Sequence, residues 1–308
     1  MSAISSETVD QRATLRGIMA ICLTASLFSI GDVMAKYVTQ DYPVLLAVWV
    51  RYCAQMIVMS MLFMPRRPLD LVKSKRPWLQ IARSGTNVVS TCVFIYAIGF
   101  LPIAEATAIG FVSPLMVVAL SVPLLGEVVG VRRWTAVGVG FAGALVMIRP
   151  GFDAFNWATL LIVFTAFVYA MFQISTRILS AYDKPNVTLF YTSAVGVVMM
   201  SMVAPFVWVA MPLWAWGLMA AQGVVGGLAH YFLIKAYTLA PVSIVAPFNY
   251  TQIVTSAALG FFVFGAFPDT LTWVGAGIVI GSGLYVIYRE THLIRSGVAA
   301  ERRAAKTG

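Results

Sequence analysis

Long apolar segments separated by short polar joints run through almost the whole chain. A helix of about 20 apolar residues crosses roughly 30 Å of hydrocarbon, and most of these segments approach or exceed that length. The pattern predicts ten helices, α1 to α10, at residues 17–37, 43–64, 78–100, 103–126, 134–148, 155–178, 187–211, 213–237, 242–267 and 271–288. Because the joints leave no space for a second domain, the pattern indicates one all-α integral membrane protein.

Composition leads to the same conclusion. Of the 308 residues, 60% are apolar and 11% are charged, and the mean hydropathy is +0.87. A soluble domain has about 25% charged residues, so this much apolar surface could not be buried in one water-soluble core. The net charge is +9, but the basic residues lie in joints and tails rather than among aromatic residues, so nucleic acid is not an expected partner. Cys22, Cys53 and Cys92 lack metal-ligand spacing and are expected to be free thiols, and no metal or cofactor is predicted.

The distribution of basic residues predicts the orientation in the membrane. With a cytoplasmic N-terminus, sixteen Lys and Arg residues fall on the cytoplasmic side and two, Lys36 and Arg149, on the other. Cytoplasmic joints carry such an excess in membrane proteins, so both termini are predicted to be cytoplasmic, in a bacterial-type inner membrane. Residues 1–16 then form an N-terminal tail and residues 289–308 a basic C-terminal tail. The apolar segment after residue 16 is long enough to stay as α1 rather than to be cleaved.

The chain contains an internal repeat. Residues 97–145 recur 139 positions later without a gap, and the matched pairs include Pro102 and Pro241, Gly126 and Gly265, and Trp134 and Trp273. The unit holds five helices, and a unit with an odd number of spans must enter the membrane inverted relative to its copy. Residues 17–150 and 151–288 are therefore predicted to be two inverted five-helix repeats, which place a central cavity near the bilayer midplane.

Three stretches resemble the EamA-type drug/metabolite transporters. They are FSIGDVMAKYVTQDYPVLLAVWVRY with Lys36 and Arg51, AIGFLPIAEATAIGFVSPL, and the pair Gly126–Glu127. The resemblance implies ten helices in two inverted repeats, with helices 1, 3, 4, 6, 8 and 9 around the cavity. It also implies transport, and the family's exporters of amino acids, including aromatic ones, are the functional group favoured. One departure concerns Glu127, whose repeat counterpart is Ala266, whereas many members carry an acidic residue in both copies.

Polar residues recur at helical spacing within several predicted helices, so each set lies on one helix face. An amide facing lipid would leave its donors unpaired at a cost of several kcal/mol, and these faces are expected to point inward. The candidates for lining a substrate cavity are Asn87, Ser90, Tyr169, Gln173, His230, Asn249 and Gln252. Hydrogen bonds between neighbouring helices, which typically contribute about 0.6 kcal/mol, explain the same pattern without a cavity.

Three charged residues fall inside the first two helices. Asp32 and Lys36 lie one turn apart on α1 and are predicted to pair. The functional interpretation gives Asp32 a substrate or a proton, and the structural one leaves a pair with Lys36 reaching toward water. Arg51 is expected to order the bundle through carbonyl groups or Asp32, or to contact the substrate.

Two prolines and one charged pair complete the candidates. Pro114 in α4 and Pro247 in α9 each remove a backbone hydrogen bond and can kink their helix. Because Pro114 corresponds to Ile253 in the repeat, the two halves are expected to bend differently, either for gating or as ordinary kinks. Glu127 beside Arg132 is interpreted as a cytoplasmic cap or gate pair.

These features favour a secondary transporter that works by alternating access on small polar or amphipathic metabolites. The main hypothesis is an amino-acid exporter using facilitated diffusion or exchange, because embedded carboxylates are few; Asp32 and His230 are the alternative proton sites. The second hypothesis is an uptake permease for riboflavin, S-adenosylmethionine or a similar compound. A membrane enzyme is a remote third, since no metal-binding, paired-aspartate or nucleophile-elbow motif is present. A monomer and a homodimer both remain open.

Overall fold

The computed structural model describes residues 11–63, 71–126, 129–149, 156–240 and 242–307, and all regular secondary structure in them is helical. The uninterrupted helices are α1 Gln11–Val38, α2 Val44–Phe63, α3 Pro77–Ala97, α5 Val131–Ile148, α6 Ala158–Leu179, α7 Pro185–Val203, α8 Leu213–Leu239 and α10 Thr270–Thr307. Helix α4 consists of Ile103–Gly110 and Ser113–Leu125. Helix α9 consists of Val242–Val245, a 3-10 turn at Ala246–Tyr250, and Thr251–Phe264. A further 3-10 turn, Ala204–Val207, follows α7.

Eight of these helical units, within the described residues, are long and apolar enough to cross a membrane. The other two, α3 and α9, carry polar residues that lower their mean hydropathy, among them Asn87 and Ser90 in α3 and Asn249 and Gln252 in α9. The protein is therefore an all-helical, multi-spanning membrane protein.

Two helices extend further than the apolar pattern predicts. Helix α1 begins at Gln11 and α10 continues to Thr307, whereas the predicted spans run from 17 and to 288. Neither extension contains proline, and residues such as Ala, Arg, Gln and Glu favour helix outside the hydrocarbon as well as inside it. Hydropathy marks only the part of a helix that suits lipid, so the apolar pattern underestimates the length of both helices.

Equivalent helices of the two repeats, such as α1 and α6, make equivalent contacts. Helix α1 packs on α8 as α6 packs on α3, and α2 packs on α8 as α7 packs on α3. Helix α1 also packs on α9 as α6 packs on α4, and the equivalent helices α2 and α7, and α5 and α10, pack on each other.

Where two equivalent helices contact each other, they run in opposite directions. The ring of Tyr52 on α2 lies against Gly196 on α7, and Trp49 Nε1, one turn earlier, donates a hydrogen bond of 2.8 Å to Ser201 Oγ further along α7. Between α5 and α10, Gly143 lies at Ile278 and the later Met147 lies at the earlier Gly275. Both pairs are antiparallel.

Helices α4 and α9 break at neighbouring positions of the repeat and end at matching ones. The turn Ala246–Tyr250 corresponds to residues 107–111, next to the break in α4, and the equivalent residues Phe111 and Tyr250 meet with ring centroids 4.8 Å apart. Both helices end on equivalent glycines, Gly126 with φ +68° and Gly265 with φ +67°, a conformation that favours glycine. The interruption of α4 is a short turn at residues 111–112, whereas that of α9 is a 3-10 turn, so the different bending drawn from Pro114 and Pro247 stays a prediction.

Candidate functional site

A cavity of about 330 Å³ lies among helices α1, α2, α3, α4, α6, α8 and α9. Small-molecule sites usually have about 300–1,000 Å³, so this cavity suits a metabolite. The seven predicted cavity residues all line it: Asn87, Ser90, Tyr169, Gln173, His230, Asn249 and Gln252. Asp32, Arg51 and Pro114 line it as well.

The predicted pair of Asp32 and Lys36 is not formed. Lys36 Nζ instead donates a 2.6 Å hydrogen bond to the Leu101 carbonyl and lies 5.3 Å from the centre of the Phe264 ring. Lys36 lies one turn further along α1 and reaches the Leu101 carbonyl before α4 and Phe264 at the end of α9, whereas Asp32 lines the cavity. Asp32 interacts electrostatically with Arg51 and with the Gln252 side chain, so the interpretation that links Arg51 to Asp32 fits the geometry better.

His230 presents one defined ring nitrogen to the cavity. Its Nδ1 lies 2.8 Å from the Gly226 carbonyl oxygen, one turn earlier on α8. A carbonyl oxygen only accepts hydrogen bonds, so Nδ1 carries the proton and Nε2 of the neutral ring is an acceptor. The ring packs edge-on against Phe28, with centroids 5.2 Å apart. His230 can therefore accept a hydrogen bond from a solute.

Amides and hydroxyls form the wall between α3, α4 and α6. Asn87 Nδ2 donates to the Tyr52 hydroxyl at 3.1 Å, which leaves the Asn87 carbonyl oxygen for the cavity. Gln173 Nε2 donates to Ser113 Oγ at 2.9 Å. Thr165 Oγ1 is buried and has no hydrogen-bond partner among the described residues. A buried hydroxyl without a partner is costly, so a solute or water group is expected to supply one.

Several lining residues were not predicted, including Phe28, Gln55, Phe94, Phe111, Ser113 and Tyr237. Gln55 could have been found, because it lies one turn after Arg51 on α2. Ser113 occupies the position equivalent to Gln252 at the 139-residue offset, so the repeat also carried a signal. The aromatic residues gave none, since nothing in the local sequence distinguishes a ring facing a cavity from one facing lipid.

Of the remaining candidates, Pro247 and Arg132 are not among the residues that line the cavity. Pro247 lies within the 3-10 turn of α9 and does not line it. Arg132 is exposed near the start of α5, and Glu127 lies outside the described residues, so the pair assigned to them cannot be placed.

A buried arginine joins the two halves beside the cavity. Arg83 on α3 donates through Nε to Thr176 Oγ1 at 2.6 Å and through Nη1 to Thr192 Oγ1 at 2.9 Å, and it lies 4.2 Å from the centre of the Phe172 ring. These groups come from α6 and α7. The contacts are hydrogen bonds to neutral groups, so Arg83 fixes the position of α3 against the second half.

A second polar link lies at the start of α3. Asp183, in the joint before α7, accepts hydrogen bonds from Ser74 Oγ, from Lys75 N at 2.9 Å and from Gln80 Nε2 at 2.8 Å. Burial would raise the pKa of Asp183, but the hydrogen bonds from Ser74, Lys75 and Gln80 outweigh it and hold that pKa below its usual value. The carboxylate therefore stays charged and ties the two halves at this end.

One family model matches the chain twice. It is the EamA-like transporter family, and it covers residues 15–149 and again residues 156–289. The chain belongs to this family. The EamA protein is thus a multi-pass inner-membrane protein of a transporter family, as its bacterial relatives indicate.

Relatives with established names cover nearly the whole EamA protein. It is 29% identical over 276 residues to the S-adenosylmethionine uptake transporter of Rickettsia prowazekii, covering 90% of this chain and 94% of the relative. It is 28% identical to the riboflavin transporter of Vibrio cholerae, covering 87% and 92%. It is 26% identical to the pseudopaline exporter of Pseudomonas aeruginosa, covering 86% and 93%. None of these three relatives is named as an amino-acid exporter.

A solved crystal structure shares the fold. It has a TM-score of 0.63 and 19% sequence identity, and the match covers 92% of this chain and 98% of that one. At this identity the similarity concerns the fold alone.

Proposed function

We propose that this EamA protein takes up a nucleoside- or vitamin-like metabolite by alternating access through the cavity between its two halves. The observation that carries the proposal is the mixed lining of that cavity. Aromatic rings come from Phe28, Phe94, Phe111, Tyr169 and Tyr237, and amides come from Asn87, Gln173, Asn249 and Gln252. Rings stack on flat apolar ring systems, and amides pair with both donors and acceptors on their edges.

The proposal includes a topology of ten spans in two inverted five-helix repeats, with both termini in the cytoplasm. Support comes from the antiparallel contacts of α2 with α7 and of α5 with α10, from the equivalent terminal glycines of α4 and α9, and from the two successive matches of the family model. The excess of basic residues on one side supports the orientation. Such folds bind their substrate at the repeat interface.

Facilitated diffusion or exchange remains the proposed mode of transport. Asp32 is the one acidic residue among those that line the cavity. Proton-coupled transporters use protonatable groups that both sides of the membrane can reach, so Asp32 and His230 are the groups to test. An imposed pH gradient is expected to leave the final accumulation unchanged. Uphill uptake that is lost in Asp32→Asn, while downhill uptake at saturating substrate persists, would show proton coupling instead.

Counterflow in proteoliposomes tests the function. Vesicles containing the purified protein are loaded with an unlabelled compound, and entry of its labelled form is measured for S-adenosylmethionine, riboflavin and phenylalanine, with protein-free vesicles as control. We expect labelled S-adenosylmethionine or riboflavin to accumulate and phenylalanine to stay at the control level. Accumulation of phenylalanine alone would show that the protein transports amino acids and would contradict the proposal.

The direction of transport needs intact cells. Bacteria that produce the protein are expected to take up the transported compound faster than cells with an empty vector. Faster loss of preloaded compound, without faster entry, would indicate export.

A further inference from the structure

The cavity has a charged end and a neutral end. Asp32, Arg51 and His230 come from α1, α2 and α8, and α8 packs against both of the others. Asn87, Gln173 and Thr165 come from α3 and α6, which pack against each other and are the repeat equivalents of α8 and α1. A solute that fills the cavity therefore meets ionic groups at one end and uncharged polar groups at the other.

Comparison of the two repeats indicates whether the fold needs the charges of Asp32 and Arg51. At the 139-residue offset, Asp32 corresponds to Met171 and Arg51 corresponds to Phe190. The second half therefore builds the same helices with apolar residues at these two positions. Charged groups inside a membrane are costly, and here the duplicated scaffold does not require them. The two charges are thus better explained by the solute than by folding.

Asp32 interacts electrostatically with Arg51 and with the Gln252 side chain, but both charged groups keep capacity for a further partner. Within the described part of the chain, no ion pair joins Asp32 to Arg51, and no residue accepts a hydrogen bond from the Arg51 guanidinium. A guanidinium has five N–H donors in a planar fork that matches a carboxylate, and an aspartate accepts from an ammonium group. The charged end thus has room and partners for a group that carries both opposite charges.

We propose that the charged end binds a zwitterionic amino-acid group, whose carboxylate meets Arg51 and whose ammonium meets Asp32. The neutral end then holds a flat, uncharged ring system attached to that group. The substrate class is therefore an amino acid joined to a heteroaromatic base. A neutral flavin has no zwitterionic amino-acid group and does not belong to this class. This inference rests on the proposed function and narrows it.

The neutral end is suited to the edge of a heteroaromatic base. The Asn87 carbonyl oxygen has no partner in the described residues once Nδ2 is bonded to Tyr52, and Thr165 Oγ1 also has none. An exocyclic amino group can donate to the carbonyl, and a ring nitrogen can accept from the hydroxyl. Tyr169, which is stacked on Phe172 with centroids 5.3 Å apart, also lines the cavity and supplies an aromatic ring.

Competition on the wild-type protein tests the inference without any substitution. Uptake of labelled S-adenosylmethionine is measured against unlabelled S-adenosylhomocysteine, which keeps the zwitterion, and 5′-methylthioadenosine, which lacks it. We expect S-adenosylhomocysteine to inhibit within about 10-fold of S-adenosylmethionine itself. Losing charge-assisted hydrogen bonds should make methylthioadenosine weaker by about 10-fold to 100-fold.

Charge-removing variants give the second readout. Asp32→Asn and Arg51→Gln should raise the KM for S-adenosylmethionine by about 10-fold or more, with little change in inhibition by methylthioadenosine. The matched controls are the exposed residues in Asp41→Asn and Lys73→Gln, which should transport as wild type. Gel filtration and thermal unfolding establish that each variant is folded.

The outcomes separate the inference from the proposed function. Equal inhibition by methylthioadenosine and S-adenosylmethionine would overturn the zwitterion site. Transport of riboflavin without S-adenosylmethionine would also overturn it while leaving vitamin uptake intact. If the protein transports neither compound, both the inference and the proposed function fail.

Discussion

Thr165 offers a test at the scale of one hydroxyl group. Because Thr165 Oγ1 has no partner among the described residues, Thr165→Val removes a group that stabilises nothing in the protein itself. We expect the thermal midpoint to stay within about 2 °C of wild type or to rise, while the KM for the transported compound rises about 3-fold to 10-fold.

Thr192→Val is the matched control for that variant. The Thr192 hydroxyl accepts from Arg83 Nη1 at 2.9 Å and donates to the Thr188 carbonyl at 2.8 Å, so its loss leaves a buried guanidinium short of a partner. The free energy of unfolding should fall by about 1–3 kcal/mol. A larger loss of stability in Thr165→Val than in Thr192→Val would show that the cavity hydroxyl is structural.

Asp269 gives a prediction about pH. The hydrogen bond from Arg149 lowers the pKa of Asp269 to about 2, and its Oδ1 also accepts from Thr272 N at 2.8 Å. Because the folded pKa lies below the unfolded value, the stabilisation is complete above about pH 4 and is lost as the pH falls toward about 2. The carboxylate is 51% exposed, so solvent screening limits the contribution to about 1 kcal/mol or less.

Thermal unfolding of the wild type and of Asp269→Asn, measured from pH 6 to pH 2, checks this prediction. Asparagine keeps a side-chain oxygen for the Thr272 N–H group, so the comparison isolates the charge. The difference between the two midpoints should be small at pH 6 and vanish at pH 2. A difference that grows toward low pH would contradict the ion pair.

Sequence spacing identified individual cavity residues well but could not identify their partners. Residues such as Asn87 and Gln173 lie on inward faces because unpaired amides are excluded from lipid, and this rule needs no tertiary information. The pairing of Asp32 with Lys36 failed because spacing allows a contact without requiring it. Lys36 instead donates to the Leu101 carbonyl, which lies 65 positions away in sequence and is brought near only by the fold.

At the scale of the helices, close contacts depend on glycine. A Cβ atom on Gly223 of α8 would lie 2.4 Å from the Arg51 carbonyl oxygen and 2.7 Å from Ala54 Cβ on α2. Backbone cannot move aside as a flexible side chain can, so Gly223→Ala should lower the free energy of unfolding by about 1–3 kcal/mol. Thermal unfolding in detergent measures the change.

Gly217→Ala is the control on the same helix, because a Cβ atom there meets nothing within 4 Å. Alanine favours helix over glycine by up to about 1 kcal/mol, so this variant should be as stable as wild type or slightly more stable. Equal destabilisation by both substitutions would contradict the close packing of α8 on α2.

The helices themselves were predictable because lipid imposes a length on each apolar segment. The breaks in α4 and α9 were predictable in part, since Pro114 and Pro247 indicate where a backbone hydrogen bond is missing. Their neighbouring positions in the two halves were not predictable from the prolines. Phe111 and Tyr250, which occupy equivalent positions of the repeat beside the two breaks, contact each other only in the folded chain.

At the scale of the whole molecule, the proposed orientation makes a prediction about labelling. In a variant without Cys22, Cys53 and Cys92, single cysteines are introduced as Lys73→Cys before α3 and Val209→Cys before α8, both exposed positions. A membrane-impermeant maleimide should label Val209→Cys in intact cells and Lys73→Cys only after permeabilisation. The reverse result would show that the protein has the opposite orientation in the membrane. Equal labelling in intact cells would contradict the placement of the two joints on opposite sides.

The most direct test of the account asks whether solute passes through the cavity between the two halves. In the same cysteine-free background, Ser90→Cys places a thiol in the cavity wall, and Ser84→Cys places one at a buried position on α3 that does not line it. The account predicts that a small maleimide stops S-adenosylmethionine uptake by Ser90→Cys, that excess unlabelled S-adenosylmethionine protects the thiol, and that Ser84→Cys keeps its activity. Full uptake after complete alkylation of Ser90→Cys would show that the solute takes another route.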